Sequence, residues 1–297
     1  MFKTCEIRIR DPYIMPYNGM YYMYGTNSEW ESEDVLYVYY GTDLENWCGR
    51  KEIFRLTDDI LWAKGELWAP EVHIYNDKFY MFLSILGKHG LRGTQIFVCD
   101  TPDGTFVPLS DKTATPFDKS CIDATLYVEG DTPYIVYSAD WPDNYNEDKK
   151  CYIGEIWAVE LTKDLKYQAS EPFCLFKSDE SPASSIAPAI HEYMGKEVVR
   201  YGSDAPFITK MTNGNLFLTW SPIPDLNYIV AAAVSENGIR GEWKHVENIF
   251  DNNGGHAMFF EDFDGNKKMC IHYPEREPDE RALVLSVKEE NGVLKVV

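Results

Sequence analysis

The chain has 297 residues, 44% hydrophobic composition and a formal net charge of −20, from 48 acidic and 28 basic residues. This is enough apolar material for a sizeable core. The acidic balance argues against nucleic acid and anionic membranes as partners, because both attract basic patches. No stretch of the sequence approaches the roughly 18 consecutive apolar residues that a membrane span needs.

The N-terminus and the cysteines bear on the cellular compartment. Residues Met1–Arg8 include no apolar run of signal-peptide length. The seven cysteines are odd in number and scattered, without a C-x-x-C pair. We therefore expect reduced thiols in a cytoplasmic protein.

Short apolar and aromatic runs separated by Gly, Asn and Asp fill the chain, a pattern typical of strands joined by tight turns. In the first example, Asp11 precedes an apolar run, a turn at Asn18-Gly19 and a second run over 21–26. The same arrangement occurs four more times, and internal repeats of this kind decide the fold. The residues that open the five repeats are Asp11, Glu71, Asp123, Asp204 and His256. The later turns lie at Asn76-Asp77, Gly130-Asp131, Asn213-Gly214 and Asp264-Gly265.

Each repeat continues with two more runs, such as 35–40 and 42–47 in the first and 152–159 in the third. The best helical stretch, 178–194, is interrupted by Pro182 and Pro188. Each repeat thus spans roughly 60 residues and supplies about four strands. The sequence therefore predicts an all-β fold, a five-bladed β-propeller of four-stranded antiparallel blades around a central axis. Residues 1–297 are predicted to form one catalytic domain, since no linker or composition shift marks a second.

In a propeller the first strand of each blade lines the central channel, so the five opening residues are expected to surround one end of the axis. Four carboxylates and an imidazole this close together are costly unless protonated, hydrated or bridged by a cation. Paired carboxylates are the groups that glycoside hydrolysis uses, one as acid and one as base or nucleophile. The aromatic candidates for stacking on sugar rings near the channel are Tyr13, Trp30, Trp68 and Trp141.

The motifs at the five openings resemble those of glycoside hydrolase family 43, the five-bladed propellers that act on arabinose- and xylose-containing glycans. They occur in the order of the family and span almost the whole chain. They are Arg10-Asp11-Pro12-Tyr13-Ile14, Trp68-Ala69-Pro70-Glu71-Val72, Ile122-Asp123-Ala124-Thr125, Ser203-Asp204-Ala205-Pro206-Phe207 and Gly254-Gly255-His256-Ala257-Met258-Phe259. The second and the last are specific signatures, whereas the first and third would be weak alone.

The resemblance implies a role for each opening residue. Asp11 would be the general base that activates water in an inverting reaction, and Asp123 would set the pKa of the acid. The acid of the family is normally a Glu in an E-G-P motif, but this chain has Asp204 in that position, one methylene shorter. Glu71 is the alternative acid. His256 resembles an axial histidine found at a bound Ca²⁺ or Na⁺, commonly through water.

The implied substrate is an oligosaccharide, with no organic cofactor. Trp68, Tyr13, Arg92 and Arg276 are the candidate substrate-binding residues. The chain has no β-sandwich after the repeats, which tilts the expectation towards an arabinofuranosidase, and the absence of a signal favours exo action on imported oligosaccharides. The alternatives are a non-catalytic carbohydrate-binding propeller, which the Asp at position 204 motivates, a fructan-acting propeller hydrolase, and a mannoside phosphorylase. The phosphorylase is disfavoured because the sequence has no run of basic residues at the ring of opening residues that could bind phosphate.

Overall fold

The computed structural model describes residues 1–27, 34–185, 189–224 and 227–297. These residues form mainly β-strands, so the predicted all-β class is confirmed. The helical elements of the described ranges include three 3₁₀ turns and the short helix α1 (Pro182–Ser185). No helix in these ranges is long and apolar enough to cross a membrane. All seven cysteines are free.

Five antiparallel sheets follow the five repeats, and their strands succeed each other along the chain. The first sheet has β1 (Phe2–Lys3), β2 (Ile9–Tyr17), β3 (Met20–Asn27), β4 (Val35–Gly41) and β5 (Asn46–Arg55). The second has β6 (Ala63–Tyr75), β7 (Lys78–Gly87), β8 (Arg92–Cys99) and β9 (Val107–Pro108). The third has β10 (Cys121–Glu129), β11 (Thr132–Ala139), β14 (Glu155–Glu160) and β15 (Phe173–Lys177). The fourth has β18 (Asp204–Lys210), β19 (Leu216–Ser221), β20 (Val230–Ser235) and β21 (Trp243–Phe250). The fifth has β22 (Gly255–Glu261), β23 (Lys267–Tyr273), β24 (Arg281–Glu290) and β25 (Val293–Val296).

A further four-stranded sheet does not follow the repeats, and we call it the inserted sheet. It consists of β12 (Tyr145–Asn146), β13 (Cys151–Ile153), β16 (Ala189–Tyr193) and β17 (Lys196–Tyr201). Its first two strands interrupt the third sheet, and its last two lie between the third and fourth sheets. Strands β13 and β17 pair in parallel. The described residues therefore form six sheets, and the predicted count of five is not confirmed.

The inserted sheet also changes two details of the prediction. The run 152–159, predicted as one strand, breaks at Gly154, where a Cβ would collide with Ser203 Oγ. Residues before this glycine join the inserted sheet, and residues after it join the third sheet. The broken helical stretch 178–194 contains the 3₁₀ turn Ser178–Glu180, α1 and β16. Pro188 lies outside the described residues.

The first strands of the five repeat sheets contact each other in a closed series. Strand β2 contacts β6 and β22, β10 contacts β6 and β18, and β18 contacts β22. Aromatic side chains fill the spaces between sheets, which accounts for the high aromatic content. Trp47, Trp220, Tyr24, Tyr137 and Phe82 are among the largest fully buried side chains.

Candidate active site

Each of the five first strands has a β-bulge, which lies near the start of the strand except in β6, where it lies in the middle, and these bulges determine which side chains meet. The pairing register shifts at Arg10/Tyr13, Trp68/Glu71, Ile122/Thr125, Asp204/Phe207 and Gly255/Met258. One residue in every bulge has a left-handed backbone with φ between 47° and 58°: Asp11, Ala69, Asp123, Ala205 and His256. These five positions are the equivalent ones. The sequence prediction that Glu71 and Asp204 are equivalent to the other three is therefore corrected, since Glu71 lies two residues after its bulge position and Asp204 lies one before.

Side chains of the neighbouring sheets hold these strained residues through their main-chain N–H groups. The N–H of Ala69 donates to Thr26 Oγ1 at 2.7 Å, and that of Asp123 donates to Ser84 Oγ at 2.9 Å. The N–H of His256 donates to Ser221 Oγ at 2.9 Å. The three acceptors lie at or near the ends of β3, β7 and β19, each in the sheet that precedes the sheet of its donor. A left-handed non-glycine residue is costly and persists where its surroundings over-determine it, as at active sites.

A pocket of about 660 Å³ opens over these bulges. It brings together Asp11, Asp123, Asp204 and His256, four of the five residues that the repeat pattern singled out. Trp68 and Trp141 also line it, as predicted for aromatic residues near the channel. Lining residues that the sequence prediction did not assign include Arg10, Asp140 and Tyr228.

Asp11 is paired with His256 at the base of this pocket. Asp11 Oδ1 lies 3.0 Å from His256 Nδ1, and Asp11 Oδ2 accepts a hydrogen bond from Thr26 Oγ1. Burial alone would raise the pKa of Asp11, but the charge of His256 holds it well below its usual range. Burial alone would lower the pKa of His256, but Asp11 raises it to about 9. Asp11 is therefore a carboxylate, and His256 a cation, at neutral pH.

The other acidic groups of the pocket behave in the opposite way. Burial raises the pKa of Asp123 to about 7, with the neighbouring Asp204 and Asp11 adding to the effect and His256 opposing it. Burial also raises the pKa of Asp204 to about 7, and Asp140 reinforces this shift. The pKa of Asp140 is likewise raised to about 7 by burial. Carboxyl groups whose environments separate their pKa values in this way are the pattern of acid–base catalysis.

Asp123 is additionally fixed by contacts to two other sheets. Its Oδ2 accepts a hydrogen bond from the N–H of Ala205 at 3.2 Å and lies 3.9 Å from His256 Nδ1. Because Ala205 directly follows Asp204, this hydrogen bond ties Asp123 to the strand that carries Asp204.

Four predicted site residues do not line the pocket. Glu71 is 4% exposed, and its Oε2 lies 2.9 Å from His73 Nε2. Tyr13 is buried, with its hydroxyl 3.4 Å from the other ring nitrogen of His73. Arg92 lies behind Trp68, its guanidinium 3.1 Å from the ring centroid, and also pairs with Glu66. Arg276 is exposed and pairs with Asp279. Trp30 lies outside the described residues.

Comparison with known proteins identifies the family of this chain. The family described as "Glycosyl hydrolases family 43" matches residues 4–286. The chain belongs to glycoside hydrolase family 43. The solved structure of an endo-arabinase from Bacteroides thetaiotaomicron is 30% identical, with 99% of each chain covered and a TM-score of 0.85. A thermostable family-43 glycoside hydrolase is 24% identical, with 97% of this chain and 92% of that chain covered and a TM-score of 0.78.

Curated relatives of this family-43 chain carry related names. A "Xylosidase/arabinosidase" from Bacteroides ovatus is 24% identical over 62% of this chain and 55% of its own length. An "Alpha-L-arabinofuranosidase 43" from Humicola insolens is 22% identical over 89% of this chain and 54% of its own length. The chain thus spans about half the length of these two relatives.

Some residues of this family-43 site escaped the sequence prediction. His272 occupies the repeat position held by Thr26, Ser84 and Ser221 in other sheets, and its Nδ1 accepts a hydrogen bond from the N–H of Asp11 at 3.2 Å. Its Nε2 then donates to Glu275. The signal was present in the repeat, because His272 lies near the end of the strand that follows the hairpin turn, as those residues do. Asp140 and Tyr228 belong to connections between strands, where the repeat gives no signal.

The predicted Ca²⁺ or Na⁺ near His256 stays a prediction. Within the described ranges, no three His, Cys, Asp or Glu side chains are grouped so as to hold a metal ion. The Nδ1 of His256 is already paired with Asp11. The described donor set therefore does not fit a directly coordinated cation, and we derive no step of the reaction through one.

Proposed function

We propose that this chain is an inverting glycoside hydrolase that removes terminal α-L-arabinofuranosyl or β-D-xylosyl residues from oligosaccharides. The observation that carries the proposal is that two carboxyl groups of one pocket have pKa values shifted in opposite directions. Asp11 is held ionised by His256, while the pKa of Asp204 is raised to about 7. An inverting glycosidase needs an ionised base for water and a protonated acid for the leaving oxygen.

Asp11 is the proposed general base. Its Oδ1 faces His256 at 3.0 Å and its Oδ2 faces Thr26, so both oxygens are oriented before substrate binds. A base held in this way removes a proton from water without first reorganising its own position.

Asp204 is the proposed general acid, and Asp123 is the proposed modulator of its pKa. Asp204 lines the pocket, whereas Glu71 is buried against His73 and does not line it. The shorter reach of Asp is compatible with this role, because the bulge places Asp204 at the pocket wall. Asp123 accepts the N–H of Ala205, and the charge of the neighbouring Asp204 raises the pKa of Asp123. Because the interaction between two carboxylates is reciprocal, an ionised Asp123 favours the protonated form of Asp204.

The proposed sugars and the proposed blade count go beyond membership of the family, and separate observations support each. Relatives named for arabinose and xylose support the two proposed glycone sugars. We assign the five repeat sheets as the blades of a five-bladed propeller, with the inserted sheet as an addition to them. The closed series of contacts among the five first strands supports this assignment. Because one similar structure is named an endo-arabinase, cleavage within an arabinan chain is the second candidate mode.

The test combines aryl glycosides of arabinofuranose and xylose with leaving groups of different acidity. Asp204→Asn is expected to lose most activity on a poor leaving group and little on a good one, which needs no proton. Asp11→Asn is expected to lose activity on both, and Asp131→Asn, at an exposed hairpin turn, serves as the matched control. NMR of the first sugar released shows inversion or retention. Wild-type turnover by Asp11→Asn, or a retained anomeric configuration, would overturn the mechanism.

The products from a linear arabinan then separate the two modes of cleavage. Release of arabinose from the outset supports removal of terminal residues. Early release of a mixture of oligosaccharides supports internal cleavage.

A further inference from the structure

The 3₁₀ turn that precedes the inserted sheet supplies part of the pocket wall, and Trp141 is its aromatic side chain. Trp141 begins a 3₁₀ turn (Trp141–Asp143) directly after β11, and the side chain of Asp140 caps this turn by accepting the N–H of Trp141 at 2.8 Å. Trp141 and Pro142 both line the pocket. The turn thus places Trp141 at the pocket, and Asp140, which caps the turn, lines the same pocket.

Trp141 is immobilised by an aromatic cluster that belongs to the inserted sheet. Its ring makes edge-to-face contacts with Tyr152, His191 and Tyr193, at centroid separations of 5.8, 5.4 and 5.1 Å. The guanidinium of Arg200 lies over the ring, 5.1 Å from its centroid. A large ring that is held on several sides loses little conformational entropy when a ligand packs against its exposed part.

Arg200 is a buried cation beside the ring of Trp141. It is 6% exposed, its Nε has no hydrogen-bond partner, and none of the described carboxylates pairs with it within 4.0 Å. Burial lowers the pKa of Arg200, and the charges of Asp204 and Asp140 oppose this shift. Arg200 therefore contacts the ring of Trp141 and also interacts electrostatically with two acidic groups of the pocket.

The side of the pocket on which Trp141 lies is determined by short connections to Asp204. Arg200 precedes Asp204 by four residues, and β17, which contains Arg200, ends at Tyr201. The N–H of Gly154 donates to the carbonyl of Tyr201 at 2.7 Å, and Ser138 Oγ lies 2.7 Å from Ser203 Oγ. The second contact joins the end of β11, shortly before Trp141, to the residue that precedes Asp204 at the start of β18. Asp11 is on a different sheet.

We infer that Trp141 is a binding platform for the sugar ring on the leaving-group side of the scissile bond. This inference rests on the proposed function, because the general acid must approach the leaving oxygen, and Trp141 lies on the side of the proposed acid Asp204. The ligand class is a pentose ring of an oligosaccharide, whose apolar C–H face packs on the indole. Trp141 therefore determines the preference for oligosaccharides over simple glycosides.

The experiment compares two substrates that share a glycone and differ in the leaving group. One is the methyl glycoside of the sugar that the enzyme cleaves, and the other is the corresponding disaccharide. The ratio of their kcat/KM values measures what the second sugar contributes. Trp141→Ala is expected to reduce this ratio about tenfold, equivalent to about 1.4 kcal/mol, whereas Trp141→Phe retains most of it. The inhibition constant of the free monosaccharide, which occupies the glycone side, is expected not to change.

Trp157 provides the matched control. It is also a tryptophan with a cation over its ring, Lys119 Nζ at 4.6 Å, and it does not line the pocket. Trp157→Ala is expected to leave the ratio unchanged. An equal loss on both substrates in Trp141→Ala, or weaker inhibition by the monosaccharide, would overturn the platform and assign Trp141 a structural role or a role on the glycone side.

A binding measurement separates this inference from the proposed function. If the wild-type protein binds the disaccharide but hydrolyses no glycoside, the hydrolase proposal fails. Calorimetric titration of wild type, Trp141→Phe and Trp141→Ala with disaccharide and monosaccharide then tests the platform directly. Selective weakening of disaccharide binding in Trp141→Ala supports it, while equal affinities overturn it. A protein that binds neither sugar refutes both proposals.

Discussion

Replacing Asp204 by Asn is expected to stabilise the protein while it impairs catalysis. The pKa of Asp204 is raised from 3.8 to about 7 in the folded state. Between these two pH values the unfolded chain has released this proton and the folded chain retains it. The unfolded state therefore binds fewer protons, and stability falls as pH rises through this window. Asn carries no such proton, so the variant avoids the loss.

The size of the effect follows from the shift itself. One pKa unit corresponds to about 1.4 kcal/mol, so the full shift of Asp204 costs the wild type up to about 4 kcal/mol above pH 7. Asp123 and Asp140 belong to the same cluster, and removal of one charge also lowers the cost of the others. We expect the unfolding free energy of the variant, relative to that of the wild type, to rise by about 2–4 kcal/mol between pH 4 and pH 8. Each kcal/mol corresponds to roughly 2–4 °C in Tm for a large domain.

The assay is the unfolding free energy from urea titrations of both proteins at several pH values from 4 to 8. Asp131→Asn, at an exposed turn, is the control and is expected to track the wild type throughout. A difference between Asp204→Asn and wild type that is the same at pH 4 as at pH 8 would show that Asp204 is not a buried, protonated carboxyl. The assignment of Asp204 as the acid would then lose its physical basis.

Three further predictions concern single side chains. Asp11→Asn is expected to lower kcat by about 10²–10⁴, the usual contribution of a general base, regardless of leaving group; a loss confined to poor leaving groups would make Asp11 the acid instead. Glu71→Gln is expected to cost about 1–3 kcal/mol of stability, because it weakens the buried contact with His73, with kcat within about tenfold of wild type. A hundredfold lower kcat in this variant, measured at saturating substrate, would return Glu71 to the catalytic groups. Ala205→Gly is expected to raise the unfolding free energy, measured by thermal unfolding, by about 1 kcal/mol, since Ala205 has a φ of 50° and glycine adopts this conformation without strain. Ala124→Gly, at a buried position without a positive φ, is the control that should destabilise, and similar losses in both variants would contradict the strain argument.

The sequence by itself determined the strands, the turns and the family motifs, because these depend on local chemistry. Alternating apolar residues predicted the paired strands, and Asn18-Gly19 closes its predicted hairpin with φ values of 48° and 78°. The repeat also singled out Asp11, Asp123 and His256, and these three do occupy equivalent bulge positions. A polar residue at the start of each buried strand is a local signal, so it is legible without the fold.

The tertiary structure alone decided which groups share the pocket. Side chains alternate across a strand, so a difference of one residue in register changes which face a side chain occupies. The bulges set that register, placing Ala69 and Ala205, rather than Glu71 and Asp204, at the equivalent positions. The inserted sheet was equally hidden, because the pairing of β13 with β17 joins residues far apart in the chain. These two strands carry Tyr152 and Arg200, which contact the ring of Trp141 in the pocket wall.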